Sequence, residues 1–139
     1  MKIIKGSVFH ASNDFYIAHC ISADVEMGAG IALDVKNKYK SMHKNLRSNK
    51  HHISHPCVLI YEEEQIINLV TKKLYWHKPT KENFRKALEM AKIECDQRHI
   101  HKIAMPKIGC GLDRLNWDWV YTQIENIFVG YEIEIYHLD

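Results

Sequence analysis

The chain has 139 residues, enough to bury the core of one domain but too few for two domains of ordinary size. Its 46% hydrophobic and 26% charged residues are typical of a globular protein, and a formal net charge of +2 does not by itself indicate a nucleic-acid-binding protein. The first apolar stretch is too short for a signal peptide and no apolar run approaches a membrane span, so we expect a cytoplasmic or nuclear protein without a membrane partner.

Strands and helices are predicted to alternate along the chain, because alternating apolar residues indicate strands and helical spacing indicates helices. The predicted strands are Lys2–Phe9, Phe15–Cys20, Cys57–Tyr61, Gln65–Val70, Lys102–Met105 and Tyr131–His137. The predicted helices begin at Gly30 and at Thr80 as N-cap, with further helix in the polar, histidine-rich stretch Lys40–Pro56. A last amphipathic helix is predicted just after Asp113, from the spacing of Trp117, Val120, Tyr121, Ile124 and Phe128. This order favours an α/β fold whose sheet is covered by helices on both faces.

Two glycine-containing loops follow predicted strands. One is Met27-Gly-Ala-Gly-Ile31, and the other runs from Met105 to Leu115 as MPKIGCGLDRL. Glycine lets backbone N–H groups approach an anion closely, and a helix N-terminus adds partial positive charge. A tight turn explains either loop alone. Two such loops at strand ends, where Thr71-Lys-Lys73 also lies, predict a diphosphate site at one edge of the sheet.

Asp113 is the first candidate for chemistry in this site. A carboxylate near a helix N-terminus is favourable to the helix dipole, but beside a phosphate it repels the ligand unless it takes part in the reaction. We therefore predict a catalytic role for Asp113, with Arg114 as its ion-pair partner. Lys72 and Lys73 could supply an active amine, although spacing alone favours a solvated surface. Cys110 is a candidate nucleophile, but packing of a small side chain under the loop explains it sufficiently.

Other polar residues have simpler explanations. The four cysteines are widely spaced, which predicts reduced thiols. His51, His52 and His55 lack the ligand spacing of a metal site, so we predict no metal. His19 is expected to be a partly buried neighbour of the site rather than its base. The basic stretch 36–50 is explained by a solvated helical surface, with attraction to a polyanionic target as the alternative.

Taken in order, these motifs resemble a macrodomain, and most closely the terminal ADP-ribose protein glycohydrolase branch. The resemblance covers nearly the whole chain. It rests on Ala18-His-Cys-Ile-Ser22, Met27-Gly-Ala-Gly-Ile-Ala32, Thr71-Lys-Lys73, His77-Lys-Pro-Thr80 and the loop from Met105 to Leu115. It implies a single three-layer α/β/α domain over residues 1–139, with a mixed central sheet, that binds ADP-ribose across the strand ends and needs no cofactor.

The resemblance also implies roles for individual residues. Lys72 would attack the distal ribose and displace a protein carboxylate, and Asp113 would transfer protons as the lysyl adduct is resolved. Ser22 would contact the distal ribose, the backbone of the second loop would bind the diphosphate, and Tyr136 would pack near adenine. The implied ADP-ribose-binding residues are Ser7, Val8, Ser22, Met27, Gly28, Ala29, Gly30, Ile31, Pro106, Ile108, Gly109, Cys110, Gly111, Leu112 and Tyr136.

Two positions depart from patterns within the family. Many macrodomains have an aspartate after the glycine of the first strand, where it accepts a hydrogen bond from adenine, whereas this chain has Ser7. A serine hydroxyl can take that place directly or through water. The Asn-containing loop of the other hydrolytic branch is replaced by Cys20-Ile-Ser22, which argues against the water-activating mechanism of that branch.

The resemblance therefore implies an ADP-ribosyl hydrolase that releases ADP-ribose from glutamate and aspartate side chains, with O-acyl-ADP-ribose as a related substrate. The expected partners are ADP-ribose and ADP-ribosylated protein, with ADP-ribosylated nucleic acid as an alternative, and the chain is expected to be a monomer. Two other functions stay open: a reader of ADP-ribose without catalysis, and a phosphatase acting on ADP-ribose 1″-phosphate. A reader would not need the Lys72–Asp113 pair, and no histidine matches a phosphate-attacking position.

Overall fold

The computed structural model describes residues 1–111 and 113–139, in which strands and helices alternate as predicted. The strands are β1 (Lys2–Lys5), β2 (Tyr16–Ser22), β3 (Cys57–Tyr61), β4 (Ile66–Lys72), β5 (Lys102–Pro106) and β6 (Glu132–His137). The α-helices are α1 (Gly30–Lys38), α2 (Lys40–Ser48), α3 (Lys81–Gln97) and α4 (Trp117–Ile127), and short 3-10 helices lie at Val8–His10 and Lys50–His52.

The strands form a six-stranded sheet in the order β1-β6-β5-β2-β4-β3. β3 is antiparallel to β4 and the other neighbours pair in parallel, so the sheet is mixed. One face packs against Phe84 of α3 and Ile124 of α4, and the other against Val35 of α1 and Leu46 of α2. The fold thus has the three α/β/α layers that the resemblance implied.

β4 illustrates how the sequence produces a sheet that is buried on both faces. Ile67 and Leu69 pack on the α3–α4 side, whereas Ile66 and Val70 pack on the α1–α2 side. Successive side chains of a strand point to opposite faces, so a strand covered on both faces is mainly apolar along its length. Asn68, the polar residue within Ile66–Val70, is buried and hydrogen-bonded. Lys72 is the last residue of β4, and the change from apolar to charged residues places this lysine at the carboxyl edge of the sheet.

The helices follow the predicted apolar faces. The Thr80 side chain accepts the backbone N–H of Asn83 at 3.0 Å, which confirms Thr80 as the N-cap of α3. The buried residues of α3 are the predicted set Phe84, Ala87, Leu88, Ala91 and Cys95. None of the helices in the two described ranges is long and apolar enough to cross a membrane.

Several element boundaries differ from the prediction. β1 ends at Lys5 and does not continue to Phe9, because Gly6 turns the chain at a φ of +144° and a 3-10 helix begins instead. β2 and β4 extend past their predicted ends to Ser22 and Lys72, which pair with each other across an irregularity in the ladder. These extensions carry both residues into the edge of the sheet where the glycine loops lie.

His19 is completely buried in β2, and not only partly buried as predicted. Its Nε2 donates to Asn68 Oδ1 at 2.6 Å, because the Asn68 amide nitrogen itself donates to the Leu59 carbonyl at 3.1 Å. Burial lowers the pKa of His19 from 6.5 to about 4, although the hydrogen bond to Asn68 opposes this shift. The folded protein therefore holds His19 as the neutral imidazole.

We predict that the protein loses stability between pH 6.5 and about pH 4 because of His19. In this window the unfolded chain binds a proton at His19 and the folded chain does not, so the free energy of unfolding falls as the pH falls. The shift corresponds to about 3 kcal/mol. Urea unfolding at pH 7 and pH 4.5 should show this loss, and His19→Gln should show a smaller one. An equal loss in both proteins would contradict the assignment to His19.

Candidate active site

A cavity of about 550 Å³ opens at the carboxyl ends of β2, β4 and β5. The three segments that were predicted to converge, namely the two glycine loops and the end of β4, all contribute to its wall. The predicted site residues that line it are Ser22, Met27, Gly28, Ala29, Gly30, Ile31, Lys72, Pro106, Ile108, Gly109, Gly111 and Asp113. Leu112 lies outside the described residues.

The approach to the first glycine loop contains unusual backbone conformations. Val25 and Met27 have φ values of 59° and 48°, and Gly30 has a φ of 57°. A positive φ is costly for a β-branched residue, so surrounding contacts must hold this conformation in place. Val25 and Met27 are buried, and the ring Nε2 of His43 donates to the Val25 carbonyl at 3.1 Å. Helix α2 thus stabilises the loop through the hydrogen bond from His43.

Helix α1 begins directly at this loop, as predicted. Its N-cap is Ala29, whose methyl side chain cannot accept a hydrogen bond from the first turn. The first N–H groups of an α-helix have no partner within the helix. Because Gly30, Ile31 and Ala32 of this turn line the cavity, these donors and the positive end of the helix dipole lie beside it. This arrangement suits a phosphate group.

The second glycine loop is fixed by its own backbone hydrogen bonds. The N–H of Ile108 donates to the Pro106 carbonyl and the N–H of Leu115 to the Gly109 carbonyl, both at 2.7 Å. α4 begins at Trp117, the first residue of the predicted amphipathic helix, with Asn116 as its N-cap, and so starts four residues after Asp113. Asp113 is therefore a loop residue and not part of the first turn of α4.

The Lys72 amine and the Asp113 carboxylate form an ion pair in this cavity. Lys72 Nζ lies 2.8 Å from Asp113 Oδ1, and the two side chains are 15% and 14% exposed. The prediction that Arg114 holds Asp113 was wrong: Arg114 is exposed, with a φ of 59°, and Asp113 binds Lys72. A charged pair that is largely shielded from water at a cavity wall can exchange a proton and contact a bound molecule at the same time.

The two cysteines near the cavity do not have the properties of nucleophiles. The pKa values of the Cys20 and Cys110 thiols are raised, mainly by burial, so both thiols stay protonated at neutral pH. The Cys110 thiol also donates to the Ile108 carbonyl at 3.4 Å. This geometry supports the interpretation of Cys110 as a packed side chain of the loop.

A second cavity of about 950 Å³ adjoins the first. The two share Gly30, Ile31, Pro106, Lys107 and Gly111 in their walls, so they form one elongated groove between the glycine loops. The predicted residues that line the second cavity in addition are Ser7, Val8, Cys110 and Tyr136. A groove of this shape suits a ligand with two bulky ends joined through a narrow anionic middle.

Tyr136 and Ser7 occupy the far end of the groove. Tyr136 is only 8% exposed, and its hydroxyl donates to Glu134 Oε1 at 2.8 Å. Burial and this bond raise the pKa of Tyr136 to about 12. The Ser7 hydroxyl accepts the N–H of Phe9 at 3.2 Å, which leaves its own hydrogen available to a ligand.

Sequence reasoning did not select every residue around the first cavity. Glu26, Tyr75 and Lys107 also line it, and Tyr75 is 61% exposed at its mouth. Lys107 lies inside the second glycine loop and could have been inferred from that motif. Asp24 was missed as well, although its carboxylate accepts the Tyr75 N–H at 3.0 Å. Nothing in the sequence indicates this contact, because it joins two separate loops.

The histidines that were considered for metal binding lie at the surface. His51, His52 and His55 are all exposed. Among residues 1–111 and 113–139, no three His, Cys, Asp or Glu side chains are grouped so that they could hold a metal ion.

The sequence of this chain is similar to a known protein family and to named proteins. A family model for the Macro domain matches residues 11–124. The human protein named ADP-ribose glycohydrolase OARD1 is 41% identical over 132 residues, which are 95% of this chain and 86% of the human protein. A match of this extent includes both glycine loops and the end of β4.

Solved structures share the fold. The macrodomain of Thermus aquaticus DarG superposes with a TM-score of 0.87 at 20% identity, and the match covers 98% of this chain and 97% of that one. Thermosipho africanus DarTG, solved in complex with ADP-ribose, gives a TM-score of 0.81 at 15% identity over 97% of this chain and 41% of that one. At these identities the likeness concerns the arrangement of strands and helices.

Proposed function

The chain belongs to the Macro domain family, and from this premise we propose that it binds ADP-ribose in the groove and hydrolyses the bond between ADP-ribose and acidic side chains. The human relative, which is named ADP-ribose glycohydrolase OARD1, supports this activity. The observation that carries the proposal is the Lys72–Asp113 ion pair, 2.8 Å long, at the wall of the cavity. A protein that only binds ADP-ribose would not need an amine and a carboxylate in contact there.

The groove offers a separate environment to each part of the ligand. The uncapped first turn of α1 and the second glycine loop would bind the diphosphate through main-chain N–H groups. The adenosine would occupy the second cavity, against Tyr136 and Val8, with the Ser7 hydroxyl near the base. The distal ribose would then lie in the first cavity, beside Lys72 and its partner carboxylate.

The proposed reaction proceeds in two steps. Asp113 takes a proton from the Lys72 ammonium, since only the unprotonated amine is a nucleophile. The amine then attacks the anomeric carbon of the distal ribose; a C–N bond forms, the C–O bond breaks, and the electron pair leaves with the carboxylate of the modified side chain. In the second step water replaces the amine, with Asp113 transferring protons, so that free ADP-ribose and the lysine are restored.

The direct test is detection of the lysyl intermediate together with product release. Wild type and Asp113→Ala are incubated with a protein that carries ADP-ribose on glutamate, and each enzyme is then analysed by mass spectrometry of the intact protein and its peptides. We expect released ADP-ribose from wild type and a covalent adduct on Lys72 that persists longer in Asp113→Ala. Tight binding without release or adduct would instead identify a reader of ADP-ribose.

A panel of substrates separates the finer alternatives. The same amine can attack the anomeric carbon of O-acyl-ADP-ribose, because that compound also has a carboxylate leaving group. ADP-ribosylated DNA and ADP-ribose 1″-phosphate complete the panel, each at equal concentration. We expect release from glutamate-linked ADP-ribose to be fastest. Faster release from DNA or from ADP-ribose 1″-phosphate would mean that glutamate is not the preferred acceptor. The role of Lys72 is tested separately, by detection of the covalent adduct.

We predict that Gly28→Ala weakens ADP-ribose binding without unfolding the protein. A Cβ added at Gly28 meets no described protein atom within 4 Å, so the methyl group would project into space that the ligand needs. The dissociation constant should rise by at least about 10-fold, equivalent to about 1.4 kcal/mol. Isothermal titration calorimetry with ADP-ribose measures this change, and thermal unfolding provides the control. Unchanged affinity would mean that the backbone at Gly28 does not approach the ligand.

A further inference from the structure

The Asp24 carboxylate connects the two loops that flank Lys72. Its Oδ1 accepts the Ser22 hydroxyl at 2.5 Å and the Glu26 N–H at 3.3 Å, and its Oδ2 accepts the Tyr75 N–H at 3.0 Å. Ser22 ends β2, whereas Tyr75 lies in the segment that follows β4. Both oxygens of one side chain are therefore used to join two separate walls of the cavity.

Main-chain hydrogen bonds reinforce the same junction. The Ala23 N–H donates to the Lys72 carbonyl at 2.9 Å, and the Asp24 N–H donates to the Lys73 carbonyl at 3.2 Å. The backbone of Lys72 is thus fixed by the ladder, while the chain beyond it is held by Asp24 through Tyr75. The Tyr75 N–H donates to the Asp24 carboxylate, so loss of the carboxylate removes this hydrogen-bond partner.

The bond to Asp24 also determines how Ser22 meets a ligand. A serine hydroxyl has one hydrogen and two lone pairs, and here the hydrogen is donated to the Asp24 carboxylate. Ser22 is 4% exposed and lines the cavity, so its oxygen can face a ligand only as an acceptor. An acceptor at this point selects a ligand group that donates, such as a hydroxyl of a sugar.

We propose that Asp24 is a positioning residue with two separable effects: it orients Ser22 as an acceptor for a hydroxyl of the distal ribose, and it holds the Lys72–Tyr75 segment in place for the reaction. The inference rests on the proposed function for the identity of the ligand. It assigns to Asp24 no direct contact with the reacting atoms.

Three variants separate the two effects. In Asp24→Asn we expect the side-chain oxygen to face the Tyr75 N–H, which lies at 3.0 Å, because the bond from the Glu26 N–H that this orientation gives up is the longer one, at 3.3 Å. The amide nitrogen then donates to Ser22, whose hydrogen turns toward the cavity. This variant keeps the hydrogen bond from the Tyr75 N–H and turns Ser22 from an acceptor into a donor toward the cavity. Asp24→Ala removes both functions, and Ser22→Ala removes only the acceptor. Glu63→Gln, a change of an exposed carboxylate in the turn between β3 and β4, is the control.

The measurements are ADP-ribose affinity by calorimetry, kcat on glutamate-linked ADP-ribose, and amide hydrogen exchange at Tyr75 by NMR. Ser22→Ala and Asp24→Asn should raise the dissociation constant by a similar factor, about 5- to 20-fold, as expected for one lost hydrogen bond. Asp24→Ala should in addition lower kcat by about 10- to 100-fold, because a small misplacement of a reacting group is costly. Exchange at Tyr75 should become faster by at least about 10-fold in Asp24→Ala only.

Each result bears on one part of the inference. Wild-type affinity in both Ser22→Ala and Asp24→Asn would overturn the role of Ser22 as an acceptor. Unchanged exchange at Tyr75 in Asp24→Ala, or a fall in kcat no larger than in Asp24→Asn, would overturn the positioning effect. Affinity and exchange are measured without turnover, so they still decide the inference if the proposed hydrolysis is not observed or does not depend on Lys72.

Discussion

Lys72→Ala is expected to lower the rate of ADP-ribose release from glutamate-linked substrate by at least about 1,000-fold, which corresponds to about 4 kcal/mol of lost transition-state stabilisation. Loss of a nucleophile removes the covalent pathway itself, so no other part of the site compensates for it. Binding should persist, because in the proposed complex the diphosphate contacts main-chain groups that this substitution leaves unchanged. Single-turnover kinetics and calorimetry with ADP-ribose measure the two quantities separately.

Lys73→Ala is the matched control for this experiment. Lys73 is adjacent in sequence and carries the same charge, but it is exposed and lies outside both cavity walls. Its loss should change the rate by less than about 3-fold, as is usual for an exposed charge. If Lys72→Ala retains wild-type turnover, the nucleophilic mechanism is wrong. Equal losses in both variants would indicate general attraction of an anionic substrate instead.

Much of the fold could be predicted because the buried faces of strands and helices require apolar residues at regular spacing in the sequence. The apolar run of β4 and the apolar face of α3 that begins at Phe84 each match the environment in which they lie. The location of the cavity followed from the same reasoning, since parallel strands bring the loops after β2, β4 and β5 to a common edge. These conclusions need only local patterns and the direction of the strands.

The contacts that complete the site could not be predicted in this way. Asp113 was expected to bind its neighbour Arg114, but it binds Lys72, 41 positions away in the chain. The junction made by Asp24 has the same origin, because its partner Tyr75 is 51 positions away. Such pairs depend on how two loops approach each other in three dimensions, and no spacing in the sequence reports that distance.

The glycines of the two loops also differ in a way that the sequence does not reveal. A Cβ at Gly28 or Gly111 meets no atom of the other described residues within 4 Å, whereas a Cβ at Gly109 would come within 2.9 Å of Phe84 Cε2 and 3.1 Å of Leu115 Cδ1. Gly28 and Gly111 therefore leave room for a ligand. Gly109 instead lets the second loop pack closely on α3, and this contact connects the cavity to the core.

Gly109→Ala should consequently destabilise the fold more than a glycine substitution at an open position. A φ of +76° costs about 1–2 kcal/mol for a residue with a Cβ, and the overlap with the fully buried Phe84 adds about 1–3 kcal/mol, for a total of about 4 kcal/mol. Gly111→Ala, in the same loop, should change the free energy of unfolding by less than about 1 kcal/mol. Urea unfolding of the two variants beside wild type measures the difference. Similar stabilities for both would show that the loop can move away from α3, and that Phe84 does not hold the backbone of the second glycine loop in position.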